Sequence, residues 1–336
     1  GIGSGSGSFG GIAMTFARRS FLKKSVTCAC HLALAASVMP VAARKVWAAE
    51  SLGQVVAREP FGTLEKINDG VWAVISRPLE GDRTTLANGG LIAGKNAVLA
   101  VEGFNQPAGA QWLAAKSFEL TGMRPTHVVL THHHGDHANG IAGFQAGGAS
   151  CAVHSTAITR DIVLGRDAKA TDPAPARAAA LNGALLLSST DATTVDLGGR
   201  TVRIVPRGGH TQSDVTVELD DPSIVFCGDL VWNGMFPNYV DTTPSKFVGA
   251  VRGLKRAKET IYVPGHGALA KAREIDRYIA VLNDVEAAAR KSYAAGVSAD
   301  EIGKTFMLPE SLGPWALFSN IFYPRAFEAW YKELKT

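Results

Sequence analysis

The sequence predicts an α/β protein, and three features point that way. Short β-branched, apolar runs bounded by turn residues recur along the body, as in His127-Val128-Val129-Leu130 and Ile224-Val225-Phe226. Helical stretches stand between and after these strands rather than in a block of their own, which argues for a mixed, layered architecture. A loop dense in histidine and aspartate, Thr131 to Gly140, follows one strand directly. Open α/β sheets place their sites at the carboxyl ends of strands. With 336 residues, 46% of them hydrophobic, the chain is long enough to bury a real core.

Taken in order, Phe61 to Ser76 reads as two strands around Asn68-Asp69-Gly70, and Arg77 to Thr85 as a polar loop. Gly90 to Val101 is a hairpin through Gly94-Lys95-Asn96, and Pro107 to Leu120 a helix. The strand before the histidine loop follows, with a helix expected to open near Ala138. Cys151 to Val153 is a short strand, and Ser155 is placed to cap a helix through Leu164. Residues 167–190, rich in alanine and interrupted by Pro173 and Pro175, read as a loop and a short helix. Two hairpins come next, Thr193 to Val205 around Gly198-Gly199 and Val215 to Cys227 around Asp220-Asp221-Pro222. Ser245 to Ala257 is a helix and Ile261 to Val263 a strand. Lys271 to Ala294, Ala299 to Thr305 and Pro324 to Leu334 are helices. No internal repeat is present.

The N-terminal region stands apart from this body. Residues 1–13 are rich in Gly and Ser and read as an appended scar or linker before Met14. Residues 14–49 carry Arg18-Arg19-Ser20-Phe21-Leu22-Lys23, which resembles a twin-arginine export signal, then a moderately apolar run broken by His31 and Pro40. The expectation is a periplasmic or otherwise exported protein with no stable membrane anchor once the signal is removed, its domain spanning residues 50–336. This region also explains the formal charge of +4. Residues 1–49 hold Arg18, Arg19, Lys23, Lys24, Arg44 and Lys45 and no acid, so the body has 28 basic and 30 acidic residues. A near-neutral body gives no electrostatic reason to expect nucleic acid as a partner; a small-molecule substrate is expected instead. Cys151 and Cys227 read as small buried core residues, though an oxidising compartment would permit a disulfide between them.

The histidine loop carries the chemistry. His132-x-His134-x-Asp136-His137 packs three imidazoles and a carboxylate into six positions. The i, i+2 spacing of the first two suits a loop with alternate side chains on one side. Asp136 and His137 follow without a gap and can point elsewhere, which suits two adjacent metal ions better than one. Further candidates stand downstream in glycine-flanked loops: His210 in Gly208-Gly209-His210-Thr211, Asp229 after Cys227-Gly228, and His266 in Gly265-His266-Gly267.

Over roughly residues 60–270 this set resembles the metallo-β-lactamase superfamily of metallohydrolases. The resemblance implies a four-layer αββα sandwich with metals at one edge of two sheets. It implies that His132, His134 and His210 hold one zinc ion, that Asp136, His137 and His266 hold a second, and that Asp229 bridges both. Such a pair lowers the pKa of a shared water to near 7, leaving a hydroxide. That hydroxide would attack an ester, thioester or lactone carbonyl, with Asp136 shuttling the proton. Glu102 stands where the family usually carries Asp. At position 229 zinc β-lactamases carry Cys or Ser, whereas glyoxalase II and acyl-homoserine lactonases carry Asp, which favours an ester-like substrate. β-Lactam hydrolysis is the alternative, since export brings a protein to where β-lactams are met. A non-hydrolytic iron or redox protein on the same ligands is the other. Trp232, Phe236 and Tyr239, close after Asp229, are candidates for a substrate wall, with ordinary packing as the competing reading. His133 is expected to point away from the metals, His127 and His154 to be bonded locally, and Thr211 to brace its loop.

Overall fold

The computed structural model describes residues 52–171 and 174–336. The linker and export-signal readings fall on residues outside these. Among the described residues no helix is long and apolar enough to cross a membrane.

Among the described residues the first sheet has eight strands in sequence order: β1 (Gln54–Glu59), β2 (Gly62–Asn68), β3 (Val71–Ser76), β4 (Gly89–Ala93), β5 (Val98–Val101), β6 (His127–Val129), β7 (Ala152–Thr156) and β8 (Leu185–Leu187). The second has five, ordered β13 (Ile261–Gly267), β12 (Ile224–Asn233), β11 (Val215–Leu219), β10 (Thr201–Pro206) and β9 (Thr193–Asp196). Pairing is antiparallel through β1–β5 and β9–β12, and parallel for β5–β8 and for β12 with β13.

Period-two alternation on the strands builds the layers. On β5, Val98 and Ala100 face a core shared with Ala110 and Leu113 of α1 (Pro107–Thr121). Leu99 and Val101 face the opposite core, shared with Val202, Ile204, Val217 and Phe226 of the second sheet. The outer face of the second sheet is covered by two amphipathic helices. They are α5 (Pro244–Arg252), burying Phe247 and Val251, and α6 (Ala272–Ala294), burying Ile275, Tyr278 and Leu282. Helix, sheet, sheet and helix are the four layers that the resemblance implies. Between α1 and α5 the chain forms α2 (Gly135–Ala138), α3 (Ala157–Asp167) and α4 (Pro175–Asn182). It ends in α7 (Ala299–Thr305) and α8 (Phe322–Leu334).

Several boundaries differ from the sequence expectation. The helix expected near Ala138 begins at Gly135, so Asp136 and His137 lie on its single turn. Thr156, not Ser155, caps α3, its hydroxyl accepting from the Thr159 N–H at 3.1 Å. Helix α5 follows Thr243 and ends at Arg252, because the chain turns at Gly253. Strand β12 runs on through Asn233, so Asp229 lies inside it. Strands β1 and β8 were not anticipated; β8 is only three residues, too short for a periodicity signal. Cys151 and Cys227 are both buried and free, so the permitted disulfide is not formed.

Candidate metal centre

The seven predicted ligands arrive from both sheets. His132, His134, Asp136 and His137 leave the end of β6 and continue onto α2. His210 sits in the turn after β10, Asp229 within β12 and His266 within β13. The register between β12 and β13 is irregular between Phe226 and Trp232, where Asp229 lies. Two glycines make room there. Gly228 has φ +52°, a left-handed conformation that favours glycine, and a Cβ on it would meet the Thr131 hydroxyl at 2.6 Å. A Cβ on Gly265 would lie 2.1 Å from Asp229 Oδ1.

The donor atoms fall into two groups that meet at Asp229. His132, His134, His210 and Asp229 form one, and Asp136, His137 and His266 the other, with the ligand atoms of each group within 4.8 Å of one another. Asp229 divides its oxygens between them. Oδ2 lies 3.4 Å from His210 Nε2 and 3.8 Å from His132 Nε2. Oδ1 lies 3.0 Å from His137 Nε2 and 3.3 Å from His266 Nε2. Asp136 Oδ2 is 3.2 Å from His266 Nε2.

His132, His137, His210, Asp229 and His266 are almost wholly buried, His134 and Asp136 partly so, and several of their polar atoms have no hydrogen-bond partner among the described residues. His132 Nε2, both nitrogens of His137, both of His266 and Asp229 Oδ1 are all in that state. Their close approaches are therefore convergent without being aligned as hydrogen bonds. Buried polar atoms are normally satisfied, so a cluster of exceptions needs a cause. Imidazole nitrogens and carboxylate oxygens converging on common points are a donor set that suits zinc.

The electrostatics agree. Burial, with His137 and His134 nearby, holds His132 well below the ordinary histidine range, and burial takes His210 down to about 3. Both rings are therefore neutral and offer lone pairs. Burial opposes a charge on His137 too, but Asp229, Glu102 and Asp136 outweigh it and push that ring up. His266 rises against burial to about 9, chiefly through Asp229 and Asp136. Asp136 and Asp229 are held low despite burial, by His137 and His266. The same carboxylates that keep protons on these rings would keep a metal cation among them.

A model of the metallo-β-lactamase superfamily matches residues 103–266. A hydroxyacylglutathione hydrolase from Acidiphilium cryptum is 32% identical over 198 residues, which cover 57% of this chain and 72% of that protein. The chain belongs to the metallo-β-lactamase superfamily. It is a metal-dependent hydrolase by that membership. The α subunit of a 2,4-dinitroanisole O-demethylase from Nocardioides is 25% identical, covering 72% of this chain and 69% of that one. Among solved structures, a metallo-β-lactamase from Pontibacter korlensis superposes with a TM-score of 0.54 at 21% identity, over 66% of this chain and 98% of that one. That last likeness is one of fold.

Several further residues of this superfamily member support the cluster, of which Asn88 alone carried no signal in the sequence. Glu102 is buried with φ +76°, an uncommon conformation for a residue with a side chain. Its Oε1 accepts from the Thr131 hydroxyl at 2.5 Å and lies 3.0 Å from His137 Nδ1. It therefore stands behind the ring. Asn88 ties the two sheets together. Its Oδ1 accepts from the Ser76 N–H at 2.8 Å, and its Nδ2 donates to the carbonyls of Pro264 at 2.9 Å and Gly267 at 2.8 Å, on either side of His266. Thr211 braces its loop as expected, donating through N–H and hydroxyl to buried Asp214 at 2.7 Å each, while burial raises Asp214 to about 7.

The remaining candidates divide. Trp232 lies against the His266 ring, centroids 4.0 Å apart, and Phe322 abuts its edge. Phe236 and Tyr239 are 0% and 1% exposed, packed on each other and against Tyr323 and Phe247. Neither presents a face to solvent, so both are packing in this conformation. His127 Nδ1 and His154 Nε2 are 3.1 Å apart, the local bond expected of them. His133 lies outside both donor groups, as expected, with its Nε2 3.2 Å from Asp241 Oδ2.

Proposed function

We propose that this chain is an exported hydrolase of ester-like carbonyl substrates, thioesters or lactones above all, working with two zinc ions. The observation that carries the proposal is the division of Asp229 between the two donor groups, one oxygen to each. A single Cys or Ser side chain offers one donor atom and has no second to share. That division supports the acidic bridge that the resemblance associates with glyoxalase II and lactonases. The hydroxyacylglutathione hydrolase relative supports a thioester by its name.

His132, His134 and His210 would hold the first ion and Asp136, His137 and His266 the second, with Asp229 common to both. Bound there, the ions supply Lewis acidity and water that ionises near neutral pH. The chain's own contribution is geometric and electrostatic. Neutral His132 and His210 present lone pairs, and Glu102 holds the far side of His137. Asp136, whose side chain is 26% exposed, is the most open acid of the set. It is ionised at neutral pH and placed to take a proton at Oδ2 and pass it to solvent. Burial of the rest excludes bulk water and strengthens each charge interaction.

Arg18-Arg19 and the apolar run after them support export to the periplasm, and the near-neutral body supports a small-molecule substrate. A hydrolysis screen of zinc-loaded protein tests the substrate reading. It compares an acyl-glutathione thioester, a lactone and a β-lactam at equal concentration. The thioester or lactone should be turned over at least about tenfold faster than the β-lactam, a difference of about 1.4 kcal/mol in barrier. Preference for the β-lactam would overturn the substrate assignment.

A further inference from the structure

Asp241 lies in the loop between β12 and α5, a stretch with no part in the ligand motif. Its Oδ2 is 2.8 Å from His134 Nε2 and 3.2 Å from His133 Nε2. The other nitrogen of His134, Nδ1, faces His210 Nε2 at 3.1 Å, inside the first donor group. One imidazole thus spans two environments, a ligand cluster on one side and a carboxylate on the other. A neutral imidazole carries its proton on one nitrogen and its lone pair on the other. A carboxylate accepts hydrogen bonds, and Asp241 Oδ2 lies within bonding distance of both rings. A proton on Nε2 bonded to Asp241 leaves the Nδ1 lone pair aimed into the cluster.

The loop is itself anchored to the cluster. Thr242 donates its hydroxyl to the His210 carbonyl at 3.1 Å, and the Thr243 N–H donates to the Gly209 carbonyl at 3.0 Å. Asp241 therefore moves with the His210 loop and is fixed relative to both rings. His133 adds a second anchor: its carbonyl accepts from Arg166 Nη1 at 3.3 Å, and its ring packs edge-on to His134 with centroids 4.8 Å apart.

We infer that Asp241 is the positioning residue of the first metal site, a carboxylate that fixes His134 in the Nε2–H tautomer with Nδ1 turned to the ion. The inference rests on the two-site reading above but adds a residue outside the superfamily motif. Partners of this kind, behind a ligating histidine, are worth about 10–100-fold in metal affinity.

The test uses the full chain with wild type, Asp241→Ala and Asp241→Asn. The first readout is ring nitrogen NMR of the metal-free protein at pH 8, with His134 assigned by its own substitution. The wild type should show His134 as the Nε2–H tautomer, Asp241→Ala should show mixed tautomers, and Asp241→Asn, whose amide oxygen still accepts, should resemble wild type. The second readout is zinc titration against a chelator. Asp241→Ala should weaken one of two sites about 10–100-fold and leave the other within about twofold, with Asp241→Asn largely restored. An unchanged tautomer in Asp241→Ala would overturn the inference, as would two sites of wild-type affinity. A third zinc equivalent in wild type that Asp241→Ala alone removes would also overturn it, in favour of a cation held by His133, His134 and Asp241. If wild type itself bound no zinc, the two-site reading would fall, while the tautomer comparison would still decide the role of Asp241.

Discussion

Replacing Asn88 by alanine tests whether the second donor group depends on a clamp between the two sheets. Asn88 is 2% exposed, and its side chain makes three hydrogen bonds, one to Ser76 and two to the carbonyls of Pro264 and Gly267. Each buried bond contributes about 0.5–1.5 kcal/mol net, and stranding its partner costs about 1–3 kcal/mol. Some stranded groups will find water, so the loss expected from Asn88→Ala is about 2–5 kcal/mol of folding stability. The bond from the Asn88 N–H to the Gly265 carbonyl survives the change, so the strand should loosen rather than detach. His266 lies between the two released carbonyls, and the site it belongs to should lose about 10–100-fold in zinc affinity. The site of His132, His134 and His210 lies beyond the reach of these bonds and should change little. Urea unfolding of the metal-free protein measures the first effect, and chelator competition measures the second. A stability loss under about 1 kcal/mol together with two unchanged zinc affinities would refute the reasoning.

Glu102→Ala removes the carboxylate behind His137 and should weaken the second site about 10–100-fold, with Glu102→Gln intermediate; chelator competition reads both. His154 has its pKa lowered to about 4 by burial first and by His127 second. Its folded value lies below the ordinary 6.5, so the unfolded chain binds more protons between them. The stability this neutral ring contributes is present above about pH 6.5 and lost as pH falls toward 4, and His154→Asn should flatten the fall in unfolding free energy over that window relative to wild type. Arg18→Lys with Arg19→Lys should leave the protein inside the cell, checked by fractionation; undiminished periplasmic recovery would rule out the twin-arginine route.

The ligand loop was legible because its chemistry is local. His132, His134, Asp136 and His137 fall within six positions, and the more distant His210, Asp229 and His266 each carry a glycine neighbour that lets the backbone come close. The long helices and the hairpins were legible for the same reason: period and turn residues are read from neighbours in sequence. What was not legible depends on contacts between distant segments. Asn88 reaches residues 176 and 179 positions away, and Asp241 reaches His134 across 107. Neither has a neighbour pattern that marks it. The length of β12 was missed because Gly228 looked like a terminus, whereas its left-handed turn is a bend inside a strand that continues beside β13. Trp232, Phe236 and Tyr239 show the limit from the other side: sequence placed them near the site, but only packing shows that their faces are taken.

The central claim is that Asp229 serves two metal ions at once, one through each carboxylate oxygen. Elemental analysis of protein loaded with zinc and then desalted, wild type beside Asp229→Asn, tests it most directly. The account predicts two zinc per wild-type chain and one or fewer per Asp229→Asn chain, with circular dichroism unchanged because the two sheets carry the fold. Two zinc retained in Asp229→Asn, or a single zinc in wild type, would contradict it.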